Sequence, residues 1–131
     1  MTVSGQRAVG DTLPPFSVDI TLQRLVMEAA ANRDYARIHH DPDVALESGA
    51  PAVYANTTFV ETLLEAGIRT WAGPAARIGR VEFAMTDFIC VGDTASTGGV
   101  VTARDGDVVD LELWIETGNG RCVSATARVL F

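Results

Sequence analysis

The stretch NTTFVETLLEAGIRT, residues 56–70, predicts a buried helix. Asn56 is a good N-cap residue, because its short side chain can accept a hydrogen bond from a free N–H of the first turn. Apolar residues recur at helical spacing and widen into a broad sector: Phe59, Val60, Leu63, Leu64, Ala66 and Ile68. A helix that is apolar over most of its girth is a buried helix. Gly73-Pro74 prevents its continuation, so we expect one central helix.

The residues before this helix predict a short strand followed by a less regular helical region. Alternating apolar residues over 14–20 indicate the strand, and Thr21 is placed to cap a helix that ends near Asn32–Arg33. One face of that helix is apolar: Leu22, Leu25, Val26 and Ala29 or Ala30. A further short helix is expected over 42–47, with Asp41 as its cap.

After the central helix the apolar period changes to two, which predicts strands over 76–86, 96–104, 107–116 and 121–130. Short turn signals separate the strands, and connections of hairpin length imply an antiparallel sheet. The whole chain, 1–131, is therefore predicted to be one α+β domain in which the sheet wraps the central helix, as in a hot-dog fold. A cystatin-like cone or a ferredoxin-like sandwich fits the element order less well.

Composition excludes several classes of function. The net charge is −7, and all ten basic residues are arginine, so the chain lacks the basic face that nucleic-acid binding needs. No apolar run approaches the ~20 residues of a membrane span, and residues 1–11 lack a hydrophobic signal core. The two cysteines, Cys90 and Cys122, are too few for a disulfide scaffold or a zinc site. We expect free thiols in a cytoplasmic protein.

The candidates for acid–base chemistry lie around two adjacent histidines, His39 and His40, which are surrounded by aspartates. Asp34 and His39 can share acid–base work on one water molecule if a bend brings them together; the alternative is a solvated acidic loop with surface histidines. Neighbouring histidines rarely bind one ion, and the chain has no H-x-x-x-H pattern. We therefore expect no metal and no cofactor.

The beginning of the central helix is a candidate binding site. Free N–H groups near Asn56 and Thr57, together with the helix dipole, can receive a carbonyl oxygen on which negative charge develops. Every helix has such an end, and the alternative is that Asn56 only caps the helix.

The segment RDYARIHHD, residues 33–41, resembles the hydratase motif of MaoC-like hot-dog proteins: an aspartate, four residues, a histidine, one residue and an aspartate. Asp34, His39 and Asp41 match it. Together with TWAGP, residues 70–74, the segment looks most like the small subunit of the actinobacterial heteromeric enoyl-CoA hydratase of steroid (cholesterol) side-chain degradation. Two departures from the usual motif, Ala36-Arg37 for Asn-Pro and Ala55-Asn56 for His-Gly, also point to this heteromeric branch.

The resemblance implies hydration of a trans-2-enoyl-CoA to a 3-hydroxyacyl-CoA. Asp34 and His39 would activate the water, and a backbone N–H near Asn56 or Thr57 would polarise the thioester carbonyl. Asp41 is assigned to structure. The candidates for holding CoA are Arg37, Arg77 and Arg80; solvated surface charge is the alternative for each.

The same resemblance implies a partner, a larger hot-dog-containing subunit, in a dimer or heterotetramer. Three alternatives stay open. They are a homodimeric hydratase or 3-hydroxyacyl dehydratase for straight-chain acyl thioesters, a non-catalytic subunit that completes a partner's pocket, and a hot-dog thioesterase.

Overall fold

The structure, a computed structural model, describes residues 7–131. The helices are α1 (Leu22–Ala31), α2 (Pro42–Glu47) and α3 (Thr57–Ala72), with one 3-10 turn at Arg37–His39. The strands are β1 (Ser17–Asp19), β2 (Arg77–Met85), β3 (Thr94–Asp105), β4 (Val108–Thr117) and β5 (Gly120–Leu130). The predicted elements are therefore present in the predicted order.

The five strands form one antiparallel sheet in the order β1-β3-β4-β5-β2. The hairpins β3–β4 and β4–β5 turn at the predicted glycine-containing sites, and Gly106 and Gly120 adopt the positive φ that such tight turns require. β2 follows α3 along the chain but pairs with β5, so it forms one edge of the sheet. The predicted α+β class and hot-dog arrangement are confirmed, with α3 as the wrapped helix.

The core lies between α3 and the facing side of the sheet. Val60, Leu64 and Ile68 of α3 are all at most 1% exposed. The alternate residues of β4 that point toward the helix are also buried: Val109, Leu111, Leu113 and Ile115. Full burial of one such side chain contributes about 1.5–3 kcal/mol, so this interface is the main source of stability.

Close approach between helix and sheet depends on Gly67 in the middle of α3. A Cβ at this position would lie 2.7 Å from Oγ1 of Thr97 on β3, closer than side chains approach. Glycine costs a helix interior about 1 kcal/mol relative to alanine. The contact explains why a glycine stands here.

The predicted apolar face of α1 is only partly buried. Leu25 and Ala29 are buried, whereas Leu22 and Val26 are 46% and 40% exposed. The reason is the position of α1, which packs mainly against α3 and the Arg37–His39 turn and meets the sheet through a bond from Arg24 to the Asp19 carbonyl of β1. A helix that packs against another helix buries a narrower strip of its surface than a helix that packs against a sheet.

Cys90 and Cys122 are both buried free thiols. Burial, with a smaller effect from Asp93, raises the pKa of the Cys90 thiol, which makes it less reactive. Within residues 7–131, no helix is long and apolar enough to cross a membrane. The first six residues of the segment inspected for a signal core lie outside the described residues.

Candidate active site

The chain between α1 and α3 carries the predicted acid–base residues, and it begins with a sharp reversal. Arg33 adopts the left-handed conformation, with φ +54°, which is costly for a residue with a side chain. The backbone N–H of Asp34 then donates to the carbonyl of Ala29 at 2.8 Å. This reversal turns Asp34 back from the end of α1 toward the beginning of α3.

The 3-10 turn at Arg37–His39 supplies the bend that brings the two residues together. His39 Nε2 lies 3.4 Å from Asp34 Oδ2. A straight helix would place residues five apart on different faces, whereas a turn begun at Ala36 shortens the path between them. The predicted proximity of Asp34 and His39 is confirmed.

The orientation of the His39 ring is determined by a backbone carbonyl. His39 is buried, and its Nδ1 lies 2.8 Å from the carbonyl oxygen of Tyr54. A carbonyl can only accept a hydrogen bond, so Nδ1 carries a proton. Nε2 is therefore the nitrogen that faces Asp34 and is available to accept a proton.

The Asp34 carboxylate is held by two donors. Its Oδ1 accepts from the backbone N–H of Ala36 at 3.2 Å, and its Oδ2 accepts from Asn56 Nδ2 at 3.1 Å. The Asn56 bond lowers the pKa of Asp34 most, followed by the Ala36 bond, with His39 adding a smaller effect. Asp34 is therefore ionised at neutral pH.

The same cleft contains the beginning of α3. Asn56 caps the helix by accepting from the Phe59 N–H at 2.8 Å, while the Thr57 N–H belongs to the first turn and has no partner within the helix. The cleft has a volume of about 290 Å³. Its lining includes Asp34, His39, Tyr54, Asn56, Thr57 and Met85. A larger, shallower concavity of about 470 Å³ lies over β2, β4 and β5, but no histidine lines it.

The three candidate CoA arginines are in different places. Arg37 is on the 3-10 turn beside the cleft, where it is exposed and bonded to Asp41 at 2.8 Å. Arg77 begins β2 and Arg80 lies near that end, whereas Met85 at the other end lines the cleft. Nine residues of strand separate the two ends by roughly 26 Å. Neither Arg77 nor Arg80 lines the cleft of its own chain.

Asp41 and His40 occupy structural and surface positions. Asp41 caps α2 by accepting from the N–H groups of Asp43 and Val44, as expected. His40 is exposed, although its neighbour His39 is buried. Among residues 7–131, no group of three or more His, Cys, Asp or Glu side chains is arranged to hold a metal ion.

A sheet wrapped around one helix, with an Asp–His pair near the beginning of that helix, is the arrangement that the resemblance to MaoC-like hot-dog hydratases implies. The chain is 27% identical to the 3-oxo-4,17-pregnadiene-20-carboxyl-CoA hydratase beta subunit of Mycobacterium tuberculosis, over 92% of this chain and 94% of the relative. No family model matches the chain.

Solved structures agree with this result. A chain of the ChsH1–ChsH2 complex from Mycobacterium tuberculosis superposes with a TM-score of 0.91 at 27% identity, over 95% of this chain and 98% of that one. The (R)-hydratase from A. caviae involved in PHA biosynthesis superposes with a TM-score of 0.87 at 20% identity, over 95% and 96%. The predicted resemblance to MaoC-like hot-dog hydratases is confirmed, as is the assignment to the hydratase class of enzymes.

Two contacts in the site were not predicted from the sequence. One is the Tyr54 carbonyl that orients His39; a backbone oxygen leaves no mark in the sequence. The other is the Asn56 side chain, which was assigned only through its backbone and its capping role. The sequence did contain a signal for this contact, because Asn56 stands where the usual motif has glycine.

Proposed function

We propose that this protein hydrates a trans-2-enoyl-CoA to a 3-hydroxyacyl-CoA, as the catalytic small subunit of a heteromeric hydratase for a steroid side-chain thioester. One observation carries the proposal: Asp34, His39 and the N-terminus of α3 meet in one cleft. A water activator and an oxyanion donor side by side are what conjugate addition of water to a thioester needs.

The Asp34–His39 pair would hold the water. The ionised Asp34 carboxylate accepts one of its protons, and neutral His39 accepts the other at Nε2, because Nδ1–H is committed to Tyr54. As the water oxygen bonds to the β-carbon, its proton passes to the pair. The pair then returns a proton to the α-carbon, so the sum is addition of H and OH across the double bond.

The beginning of α3 would stabilise the enolate. Negative charge develops on the thioester oxygen as water adds, and the Thr57 N–H at the positive end of the helix dipole is placed to donate to it. Removal of one such donor typically raises the barrier by about 3 kcal/mol. This step needs only groups of the chain itself.

An acyl-CoA substrate needs a larger binding pocket than the cleft of one chain provides. The cleft, at about 290 Å³, is at the small end of ligand pockets, and within residues 7–131 no strand pairs with the outer edge of β2 beside it. An unpaired edge strand is a natural place for another sheet to join. We therefore propose a larger hot-dog subunit as the partner, in a dimer or heterotetramer. The two buried free thiols fit a reducing, cytoplasmic setting.

The positions of Arg77 and Arg80 on β2 bear on how two subunits would pair. If two β2 edges pair antiparallel, the Arg77 end of one strand lies beside the Met85 end of the other. Arg77 and Arg80 would then hold the CoA bound at the neighbouring subunit's cleft. Arg37 would instead hold the CoA bound at the cleft of its own chain. A homodimeric hydratase for straight-chain thioesters, the alternative, would use such a pairing twice, because the neighbour's cleft would also be catalytic.

The test is to assay the purified chain alone and together with a candidate hot-dog partner. The substrates are a steroid side-chain enoyl-CoA, a straight-chain enoyl-CoA and a saturated acyl-CoA. We expect 3-hydroxyacyl-CoA to form from the steroid thioester, mainly with the partner present. A fully active homodimer that prefers straight chains would overturn the heteromer, and release of CoA from the saturated thioester would indicate a thioesterase.

A further inference from the structure

Asn56 joins the beginning of α3 to the general-base site through its side chain. Its amide is buried, with the residue only 7% exposed. Oδ1 accepts from the Phe59 N–H at 2.8 Å and from the Thr58 hydroxyl at 3.0 Å. Nδ2 donates to Asp34 Oδ2 at 3.1 Å, across 22 residues of sequence.

The orientation of this amide is determined by the helix backbone. The Phe59 N–H can only donate, so the amide oxygen must face it. With the oxygen committed there, the NH₂ group points to Asp34. The opposite orientation would place the amide NH₂ against the Phe59 N–H and the amide oxygen against the Asp34 carboxylate. Both hydrogen bonds would then be lost.

An N–H donor aimed at a carboxylate favours its ionised form. Asn56 bonds to Oδ2, the same oxygen that lies 3.4 Å from His39 Nε2, so it also determines which way the carboxylate presents itself to the imidazole. The His39 imidazole lowers the pKa of Asp34 further when the ring carries a charge. Glu28 of α1 lies on the far side of the Thr58 hydroxyl, 3.5 Å from it.

We propose that Asn56 is a positioning residue: its side-chain amide, oriented by the first turn of α3, holds the Asp34 carboxylate in line with His39. This inference rests on the proposed hydratase function and goes beyond it, because it assigns the role to the side chain rather than to the backbone. It also gives a physical reason for asparagine at a position where the usual motif has glycine.

The decisive variant is Asn56→Asp. Aspartate caps a helix as well as asparagine does, so the Phe59 bond and the fold are retained. The donor to Asp34 is replaced by a second carboxylate, which disfavours ionisation of its neighbour. Asn56→Ser is the second variant: serine also caps the helix, but its hydroxyl is too short to reach Asp34.

Two measurements are needed. One is the pH dependence of kcat/KM. The other is the titration of the Asp34 carboxyl by carbon NMR, with its signal assigned by comparison with Asp34→Asn. We expect Asp34 to titrate at higher pH in both Asn56 variants, and more so in Asn56→Asp. On the plateau of the kcat/KM profile we expect a loss of about 10- to 100-fold in both variants, as for a lost hydrogen bond to a charged group, because the Asp34 carboxylate is no longer aligned with His39.

Thr21→Ala is the matched control. It removes the cap of α1, where the Thr21 hydroxyl accepts from Arg24 N–H at 3.1 Å, and should lower the melting temperature without moving either titration. An Asp34 titration in Asn56→Asp identical to that of the wild type would overturn the proposal. If the wild type shows no hydratase activity, the proposed function fails, but the NMR titration still decides the role of Asn56.

Discussion

The interface between α3 and the sheet differs in kind from the segment between α1 and α3. The first is held by apolar burial: Val60, Leu64 and Ile68 of the helix are almost fully enclosed. The second, residues 32–56, also buries Ala45, Val53 and Ala55 in the core, but directed polar bonds place its site residues: the Ala29–Asp34 backbone bond, the Tyr54–His39 bond and the Asn56–Asp34 bond.

This difference teaches how stability and chemistry are separated in the molecule. Apolar burial depends on the area removed from water and contributes most of the folding free energy. Hydrogen bonds between polar groups contribute less net stability but determine direction. We therefore expect changes in the core to unfold the protein and changes in the polar segment to disable it.

The largest expected effect is on stability, from Leu64→Ala. Leu64 is 1% exposed and lies in the core, so its truncation removes buried methyl groups and leaves a cavity. The free energy of unfolding should fall by about 2–5 kcal/mol, as measured by urea denaturation. Activity per folded molecule at low temperature should be nearly unchanged. A loss below 1 kcal/mol would show that the two regions are not separated in this way.

The next effect is on catalysis, from Asp34→Asn and His39→Ala. Each should reduce hydratase turnover by at least ~10², the low end for removing a positioned acid or base. Asp34→Asn should lower the melting temperature by no more than a few degrees, whereas His39→Ala should lower it further, because it removes a buried ring and its bond to the Tyr54 carbonyl. Steady-state kinetics and thermal melts measure the two quantities.

His40→Ala is the internal control for this pair, because the side chain is exposed beside a buried neighbour. We expect a much smaller loss of turnover. Near-wild-type turnover in Asp34→Asn and His39→Ala would eliminate the site, and a greater loss in His40→Ala would move it by one residue.

The smallest effect concerns the acid stability that Asp34 contributes. Its bonds to Asn56 and Ala36 lower the pKa of Asp34 in the folded protein below its ordinary value of 3.8. The ionised carboxylate therefore stabilises the fold above the ordinary value, and this contribution is lost as pH falls through the lower folded value. Because Asp34 is partly exposed to solvent, we expect less than about 1 kcal/mol.

The measurement is the difference in unfolding free energy between the wild type and Asp34→Asn as a function of pH. The difference should be constant near neutrality and should shrink as pH falls below the ordinary aspartate value. Asp110, whose pKa is lowered by its bond to Arg128, is present in both proteins and cancels. A difference that grows toward acid pH would mean that Asp34 is not stabilised as the carboxylate.

Much of the fold could be predicted because the signals that define it are local. The caps Thr21, Asp41 and Asn56 all accept the predicted backbone bonds. Alternation in β4 matched the side of the sheet that faces the helix. Asp34 and His39 could also be named as candidates from the sequence, because only four residues separate them and a single turn brings them together.

Other features were decided only by the tertiary structure. β2 pairs with β5 rather than with its neighbours in sequence, which moves Arg77 and Arg80 away from the cleft. α1 packs against α3, so half of the apolar face of α1 is left exposed. Apolar periodicity and helix caps depend on residues within about four positions of each other. They identify the apolar face of a helix or strand, but not the element that packs against it. The bond between Asn56 and Asp34 spans 22 residues, and it exists only because α3 begins where the reversal at Arg33 returns the chain.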